Sequence, residues 1–281
     1  MELAYRGSVN RWECDENDHM NVRFYVQRHW QTLCSGLTQA GLQPAVADLQ
    51  VQHIRYLAEA RIATPLSGYW GVVADPTDRN GFYVFTELRQ SFTQQCLSSA
   101  LHYLSLPPLP VDAVVNPDSG PRGIAHDDLV FTQLSYTELA DYGLQLIGAG
   151  LIETPEVASD GTVYLHHYMG RLSDSMPHLW GRLAAEADGR LAGQGGAVLE
   201  YRLRYHRSLR LGERFEIWSG LVQAGAKIQR FAHLLFAPET GELVLSAEAV
   251  GVRMDLQTRK AVQFNAADVA QMQQHALKLP T

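Results

Sequence analysis

Residues 51–62 read VQHIRYLAEARI, and residues 200–211 read EYRLRYHRSLRL. Ile54-Arg55-Tyr56 corresponds to Leu203-Arg204-Tyr205 at an offset of 203 − 54 = 149 residues. Further matches follow at the same offset: Arg61-Ile62 with Arg210-Leu211, Gly71–Val73 with Gly220–Val222, Phe82 with Phe231, and Ala100-Leu101 with Ala249-Val250. A constant offset over roughly fifty residues indicates an internal duplication of one structural unit.

Both copies of the duplicated stretch are predicted to form antiparallel strands. Runs rich in Val, Ile, Tyr, Phe and Leu alternate with Gly, Pro and Asp, which is typical of short strands joined by turns. Asp78–Gly81 (DRNG) and Pro238–Gly241 (PETG) have the composition of hairpin turns.

A long helix is predicted before each set of strands. Val22–Gly41 has apolar residues at helical spacing and ends at a glycine suited to terminate a helix. In the second copy the helix is placed at His167–Glu186, where Pro177 is expected to kink it or to mark its start. One strand, one helix and four antiparallel strands, occurring twice, predict an α+β fold.

The segment between the copies, residues 107–128, contains five prolines and two glycines, which is typical of a linker. Two shorter helices are predicted after it, one opened by a capping box at Ser135–Glu138 and stopped by Gly143, and one at Ala266–Leu277 capped by Asn265. The predicted organisation is an N-terminal domain over residues 1–110, a linker with a short helix over 111–144, and a C-terminal domain over 145–281.

Composition excludes several classes of protein. The chain is 46% hydrophobic and 19% charged, which is ordinary for a globular protein, and its net charge of −7 disfavours nucleic-acid binding. Its three cysteines form no CxxC or zinc pattern, which favours reduced thiols in a reducing compartment. Because no secretory signal and no apolar stretch of about 18 residues is found, we expect a cytoplasmic protein that does not enter a membrane.

The segment between the first strand and the first helix carries a recognisable motif. Residues 12–25 read WECDENDHMNVRFY. This resembles the strand-to-helix loop of the 4-hydroxybenzoyl-CoA thioesterase-like hotdog family, D-x-D-x-x-G-H-M-N with a Tyr four residues on. The matching positions are Asp15, His19, Met20, Asn21 and Tyr25. Glu13 replaces the first Asp and Asp18 replaces the Gly; Asp tolerates a left-handed backbone, so the turn is expected to survive.

The resemblance implies a double hotdog, in which each half is a long helix wrapped by a curved antiparallel sheet and the two halves pair side by side. It implies an acyl-CoA thioesterase that needs no metal or organic cofactor. The implied substrate is an acyl-CoA or an acyl-carrier-protein thioester, and the fused pair is expected to be capable of further homo-oligomerisation.

Three residues of the motif are candidate catalytic groups. The Asp15 carboxylate is suited to act as general base on water or as nucleophile on the thioester carbonyl. Unpaired N–H groups in the first turn of the helix from Val22 are suited to receive the developing oxyanion. His19 is a candidate to orient Asp15 or the loop, and Asn21 to hold water or the carbonyl. Residues of these types before a helix are also common N-caps, which is the alternative interpretation.

Candidate substrate-binding residues are Tyr25, Arg23, Glu59 and Asp174, with Arg23 or Arg28 as cations for the phosphates of CoA. Three of these residues have a structural alternative. Core packing is the alternative for Tyr25, a surface strand end for Glu59, and an exposed or capping role for Asp174. His166-His167 has no third ligand at zinc-binding spacing, which favours a packing or surface role.

The second copy is predicted to have lost this site. Aligning Tyr25 with Tyr168, an offset of 168 − 25 = 143, places Ala158 opposite Asp15 and Thr162 opposite His19. Glu156 then stands opposite Glu13. The second half is therefore expected to be retained for structure.

Two other functions remain open from the sequence. A hotdog enoyl-CoA hydratase or dehydratase would use an Asp and a His at a spacing that Asp48 and His53 approximate, although the usual Asn-Pro between them is missing. A chain that has lost one of its two sites is also compatible with a non-catalytic acyl-CoA-binding protein.

Overall fold

A computed structural model describes residues 1–73, 81–106, 115, 118–124, 130–185, 193–255, 257–258 and 260–279. The chain forms two compact units. The first comprises Met1–Arg122 with Tyr164–Gly170, and the second comprises Gly123–Val163 with Arg171–Thr281. Residues 123–124 and 130–144, which the sequence assigns to a linker, belong to the second unit.

The first unit contains a five-stranded antiparallel sheet and one complete helix. Its elements are β1 (Glu2–Ser8), α1 (Val22–Gln39), β2 (Leu49–Tyr56), β3 (Pro65–Val73), β4 (Phe82–Gln90) and β5 (Cys96–Leu104). The strand order is β1-β3-β4-β5-β2, and α1 packs on β1, β3 and β4. The predicted helix Val22–Gly41 is confirmed to within two residues, and Gly41 has the left-handed φ of 85° that terminates it. Three of the four residues of the predicted turn Asp78–Gly81 lie outside the described residues.

The apolar stripe of α1 explains its position. Its buried residues recur at spacings of three and four and include Val26, Leu33 and Leu37, so one face of the helix covers the sheet. Gly36 permits the close approach, because a Cβ at this position would lie 2.3 Å from the Trp70 ring.

The second unit repeats the architecture. Its strands are β6 (Gln145–Leu151), β7 (Gln194–Tyr205), β8 (Arg214–Ala224), β9 (Ile228–Ala237), β10 (Glu242–Asp255) and β11 (Lys260–Ala261). The order is β7-β10-β9-β8-β6, with β11 on β10. The second long helix, α2 (Leu165–Ala185), begins before the predicted His167 and continues through Pro177, so a start at the proline is wrong.

The C-terminal helix is confirmed, as α3 (Ala266–Gln274). Its N-cap Asn265 accepts the Asp268 N–H at 2.8 Å, as predicted. The predicted turn Pro238–Gly241 is also present, with Gly241 at φ 69°.

The predicted capping-box helix at Ser135 is wrong. Tyr136–Glu138 forms only a single 3₁₀ turn, and the Ser135 hydroxyl contacts the Thr137 hydroxyl at 3.0 Å instead of capping the backbone. This region is held by apolar packing on the sheet of the second unit. The buried cluster consists of Phe131, Leu134, Leu139, Leu144, Ala232, Leu234 and Phe236.

Strand registers test the internal duplication. Ile54 pairs with Ala100, and Leu203 pairs with Ala247. The bridges of His19 to Arg61 and of Thr162 to Arg210 support the offset of 149 after β2 and β7, since 210 − 61 = 149. With β2 and β7 matched at this offset, β5 and β10 are related by 247 − 100 = 147. The predicted matches of Phe82 with Phe231 and Ala100 with Ala249 are wrong by two residues. Gly71 pairs with Phe85, 85 − 71 = 14 residues later, whereas Gly220 pairs with Ala232, only 232 − 220 = 12 residues later.

Backbone strain distinguishes the two copies. Asp18, Ala63 and Gln94 have φ values of 59°, 61° and 59° in the first copy. Their equivalents in the second copy are all glycines with positive φ: Gly161, Gly212 and Gly241. The expectation that Asp18 preserves the left-handed turn is confirmed. Because a side chain is disfavoured in this region, the first copy carries strain that the second avoids.

Ala63→Gly is expected to stabilise the protein by about 0.5–1 kcal/mol, because glycine adopts a left-handed backbone without the Cβ clash that alanine suffers. Chemical denaturation with urea measures the change. The reciprocal variant Gly212→Ala, at the equivalent position, is expected to destabilise by about 1 kcal/mol. Two changes of the same sign would contradict this explanation.

A row of buried polar side chains lies between α1 and its sheet. His29 contacts Thr86 Oγ1 at 2.7 Å through Nδ1 and Ser98 Oγ at 2.9 Å through Nε2, and the same Thr86 oxygen lies 2.8 Å from His102 Nε2. All four side chains are fully buried. Burial lowers the pKa of His102 to about 3, and burial followed by the nearby His102 lowers the pKa of His29.

The protein is expected to lose stability as the pH falls below about 6.5, where these two histidines bind protons in the unfolded chain but remain neutral in the folded one. At pH 5.5 each contributes a loss of about 1.4 kcal/mol relative to its contribution well above pH 7. Urea denaturation at pH 7.5 and 5.5 measures the difference. His29→Gln is expected to reduce the pH-dependent loss by the contribution of one histidine, about 1.4 kcal/mol, and an unchanged loss would contradict the assignment.

Candidate active site

The motif loop is fastened to the chain segment that follows β2. Within the loop, the Asp15 N–H donates to the His19 carbonyl at 2.8 Å. The Met20 N–H donates to the Ala60 carbonyl at 2.8 Å, and His19 forms a β-bridge with Arg61. The loop therefore has a fixed shape between β1 and α1.

Asp15 is half-buried and uses one carboxylate oxygen to hold the loop. Its Oδ1 accepts the N–H groups of Asn17 at 2.8 Å and His19 at 3.1 Å. Within the described part of the chain, Oδ2 accepts no hydrogen bond, so one oxygen remains available for chemistry. Asn17 was not singled out from the sequence, because its contribution is a backbone N–H that residue type does not predict.

His19 is positioned towards Glu59. Its Nε2 lies 3.1 Å from Glu59 Oε2, within ion-pair distance but without hydrogen-bond alignment. His19 is 9% exposed, whereas the Glu59 side chain is 47% exposed. His19 contacts the Asp15 carboxylate through its backbone N–H, among the described contacts. The His19 imidazole contacts Glu59. The structure therefore places two of the predicted site residues, His19 and Glu59, in direct contact.

Asn21 is the N-cap of α1. Its Oδ1 accepts the Arg23 N–H at 3.0 Å, and its carbonyl accepts the Phe24 N–H at 2.9 Å. The expectation that the first-turn N–H groups are unpaired is therefore wrong for Arg23 and Phe24. Among the described residues, the Val22 N–H has no acceptor, which leaves one donor at the start of this helix.

Tyr25 lies in the core of the first unit and is 4% exposed. Its hydroxyl donates to the Ala58 carbonyl at 3.3 Å and accepts the Ala60 N–H at 3.1 Å, and its ring packs edge-on against Tyr56. These contacts match its structural alternative, and a direct role in substrate binding stays a prediction.

The two arginines proposed for CoA phosphates differ in their surroundings. Arg28 forms a buried ion pair with Glu13 and donates to Gln31 at 2.8 Å, so the suggestion that it binds phosphate is wrong. Arg23 is half-buried and its guanidinium lies 5.0 Å from the centre of the Phe24 ring.

Asp174 lies on α2 in the second unit and is exposed. It stands near Arg171, whose pKa is raised mainly by its hydrogen bonds to Glu156 and to a smaller extent by Asp174. The rings of His166 and His167 contact each other in a tilted arrangement, with ring centres 4.3 Å apart. Among the described residues, no three His, Cys, Asp or Glu side chains form a cluster suited to a metal ion.

The structure does not support Asp48 and His53 as the catalytic pair of a hydratase. Asp48 ends a 3₁₀ turn and accepts the Ala45 N–H at 2.6 Å, while His53 is buried within β2. Five residue steps along extended chain place the two about 16 Å apart, too far for both to act on one substrate atom.

The second copy retains the loop without its carboxylate. The Ala158 N–H donates to the Thr162 carbonyl at 2.8 Å, as Asp15 does to His19. Thr162 bridges to Arg210, as His19 does to Arg61. The alignment at offset 143 is therefore confirmed. Asp160 Oδ1 accepts the Thr162 N–H at 2.9 Å and so replaces the loop-holding function of the missing residue.

Comparisons with known proteins agree with this fold. Residues 156–276 match the family model of the thioesterase-like superfamily. No curated protein sequence matches the chain. In the part of the chain that the structure describes, no helix is long and apolar enough to cross a membrane.

Solved structures align over most of the chain. A candidate oleoyl thioesterase from Lactobacillus plantarum has a TM-score of 0.62 at 12% identity, covering 89% of this chain and 96% of its own. An acyl-ACP thioesterase from Bacteroides thetaiotaomicron has a TM-score of 0.60 at 10% identity, with coverages of 88% and 96%. A 12:0-ACP thioesterase from Umbellularia californica has a TM-score of 0.61 at 12% identity, with coverages of 88% and 92%. The chain therefore has the α+β, hotdog-type fold of these thioesterases, and residues 156–276 match the thioesterase-like superfamily.

Proposed function

We propose that the chain hydrolyses acyl thioesters to a free acid and a thiol, with Asp15 as the reacting carboxylate. The observation that carries this proposal is the comparison of the two loops. Ala158 stands at the position of Asp15, yet the backbone hydrogen bond across the loop is the same length, 2.8 Å, in both copies. In the second copy Asp160 holds the loop from another position, so the loop does not require a carboxylate at the position of Asp15. Holding the first loop occupies only Oδ1 of Asp15, and its second oxygen favours a chemical role.

The position of Asp15 is compatible with two routes. As general base, its free Oδ2 removes a proton from water, which then attacks the thioester carbon and expels the thiolate. As nucleophile, Oδ2 attacks that carbon itself and forms an anhydride, which water opens to regenerate the carboxylate. Both routes consume one water and release an acid and a thiol. The Val22 N–H is the candidate donor for the oxyanion in either route.

The His19–Glu59 pair extends this site. A carboxylate beside an imidazole fixes the orientation of the ring and favours its protonated form in a transition state. We assign His19 to deliver the proton that the leaving thiolate requires, with Glu59 stabilising the imidazolium from which that proton is lost. The neutral imidazole left behind then regains a proton from solvent. Asn21, the N-cap, supports the site by fixing the start of α1.

The proposed substrate is an acyl-CoA or an acyl-carrier-protein thioester. The printed names of the structural neighbours, which include acyl-ACP thioesterases, support an acyl thioester as substrate. The family match and these neighbours support thioester hydrolase activity. Side-by-side pairing of the two copies as a double hotdog, a cytoplasmic setting and further homo-oligomerisation belong to the same proposal.

A panel of aliphatic and aromatic acyl-CoAs and acyl-carrier-protein thioesters, assayed by release of free thiol, tests the function. Turnover of at least one thioester class is the expected result. Binding of a thioester that is recovered intact after long incubation would favour the non-catalytic alternative and overturn hydrolysis. Hydration of an enoyl-CoA without release of thiol would also overturn it.

A further inference from the structure

The backbone on both sides of Glu59 is held by one side chain. The Tyr25 hydroxyl donates to the carbonyl of Ala58 and accepts the N–H of Ala60, the residues immediately before and after Glu59. A single oxygen atom therefore bridges the peptide groups that flank this carboxylate.

Other contacts fix the same segment from different directions. The N–H groups of Leu57 and Ala58 both donate to the Leu97 carbonyl, at 2.9 and 3.0 Å. The Ala60 carbonyl accepts the Met20 N–H of the motif loop. Glu59 is exposed while the residue after it is buried, so the direction of its side chain depends on the path of this backbone.

Tyr25 is itself rigid and stays protonated. Its ring centre lies 5.3 Å from that of Tyr56 in an edge-on arrangement within the core. Burial raises the pKa of Tyr25 to about 12, the Ala60 N–H opposes this rise, and the charges of Glu59 and Asp15 add to it. The hydroxyl therefore remains able to donate across the working pH range of any such enzyme.

We propose that Tyr25 is a positioning residue, whose hydroxyl holds the 58–60 backbone so that the Glu59 carboxylate stays against the His19 imidazole. This inference rests on the proposed function, because it gives the motif tyrosine a part in the reaction without contact with substrate. It also explains why a tyrosine, and not another aromatic residue, lies under the loop, since phenylalanine would fill the same space without bridging the two peptide groups.

Tyr25→Phe removes only the hydroxyl oxygen and tests the proposal. We expect kcat to fall by about 10–100-fold, the range that small misplacements of reacting groups produce, with KM changed by no more than about twofold. In a Glu59→Gln background, the same change is expected to cause no further loss of kcat. Additive losses would overturn the proposal, because a tyrosine that only supports the fold would act independently of Glu59.

Tyr168→Phe is the matched control. Tyr168 is a buried tyrosine at the equivalent position of the second copy, which has Thr162 in place of His19 and Ser208 in place of Glu59. We expect Tyr168→Phe to lower the melting temperature by an amount similar to Tyr25→Phe and to leave kcat unchanged. Equal losses of kcat from both variants would overturn a specific role for Tyr25.

The role of Tyr25 can also be tested without measuring activity, which separates it from the proposed reaction. The His19 ring signals in NMR spectra of the full chain are compared among wild type, Glu59→Gln and Tyr25→Phe. We expect Tyr25→Phe to shift these signals in the same direction as Glu59→Gln, and unchanged signals would overturn the positioning role. Absence of thioester turnover in the wild type would instead overturn the proposed function, while the NMR comparison would still decide the role of Tyr25.

Discussion

Asp15→Asn is expected to lower kcat for thioester hydrolysis by about 10²–10⁴-fold, the usual contribution of a general acid or base. Asparagine has the shape of aspartate, and its Oδ1 can still accept the N–H groups of Asn17 and His19. Its amide nitrogen, however, can neither remove a proton from water nor attack a carbonyl carbon. The variant therefore removes the chemistry and preserves the loop.

The measurement is steady-state thiol release from the best thioester substrate, together with the melting temperature of the variant. Asp160→Asn is the matched control, because Asp160 holds Thr162 in the equivalent loop of the second copy and is exposed. We expect this control to retain wild-type kcat. Full activity in Asp15→Asn would remove Asp15 from the mechanism and leave it as a loop-capping residue.

This choice of variant also separates the two interpretations of the motif that the sequence left open. Asp15 does perform the capping function that residue type suggests, since Oδ1 holds two N–H groups of its own loop. Capping uses only one of its two oxygens, so both interpretations fit one residue. An alanine variant would lose both functions together, whereas asparagine loses only the charge.

The sequence predicted the motif loop because its shape is set locally. A left-handed residue at position 18 and an N-cap at position 21 are features of residue type and spacing, and both are found. The contact between His19 and Glu59 joins residues 40 positions apart through the path of the chain after β2. Glu59 was a candidate from the sequence, but its partner depended on a tertiary contact that spacing does not specify.

The strand register shows a second limit of prediction from the sequence. Alternating apolar residues predicted the strands of both copies, but a two-residue difference between the pairing of β3 with β4 and that of β8 with β9 moved β9 and β10 relative to the expected repeat. Side-chain patterns repeat every two residues along a strand, so a shift of two preserves the pattern and is invisible to it. Only the hydrogen-bonded pairs distinguish the offsets.

Residues 130–144 show a third limit of prediction from the sequence. The proline-rich composition upstream predicts a linker over residues 111–144. Phe131, Leu134 and Leu139 are instead buried against strands of the second unit. Irregular chain with apolar residues at unequal spacing has no periodicity to read, so its packing depends on the surface that the sheet provides.

Glu13→Gln is expected to destabilise the protein by about 3–5 kcal/mol, because it leaves the Arg28 charge buried without a counter-charge. The Glu13 side chain is 3% exposed and that of Arg28 is 11% exposed. Glu13 also accepts the Asn10 N–H at 2.7 Å, and its carbonyl accepts the Asn21 N–H, so the pair connects the end of β1 to the start of α1. Urea denaturation at pH 7.5 measures the loss.

Glu156→Gln is the comparison that tests how the exposure of the arginine affects the cost of losing its partner. Glu156 pairs with Arg171 through two hydrogen bonds of 3.0 and 2.9 Å, and its side chain is 6% exposed, similar to Glu13. The Arg171 side chain is 38% exposed, so water can solvate its charge when the partner is lost. We therefore expect a loss of only about 1 kcal/mol, in the range of solvent-screened pairs. Equal losses in the two variants would show that the exposure of the arginine does not govern the cost. A larger loss for Glu13→Gln would identify the buried Glu13–Arg28 pair as an element that fixes the motif loop on α1.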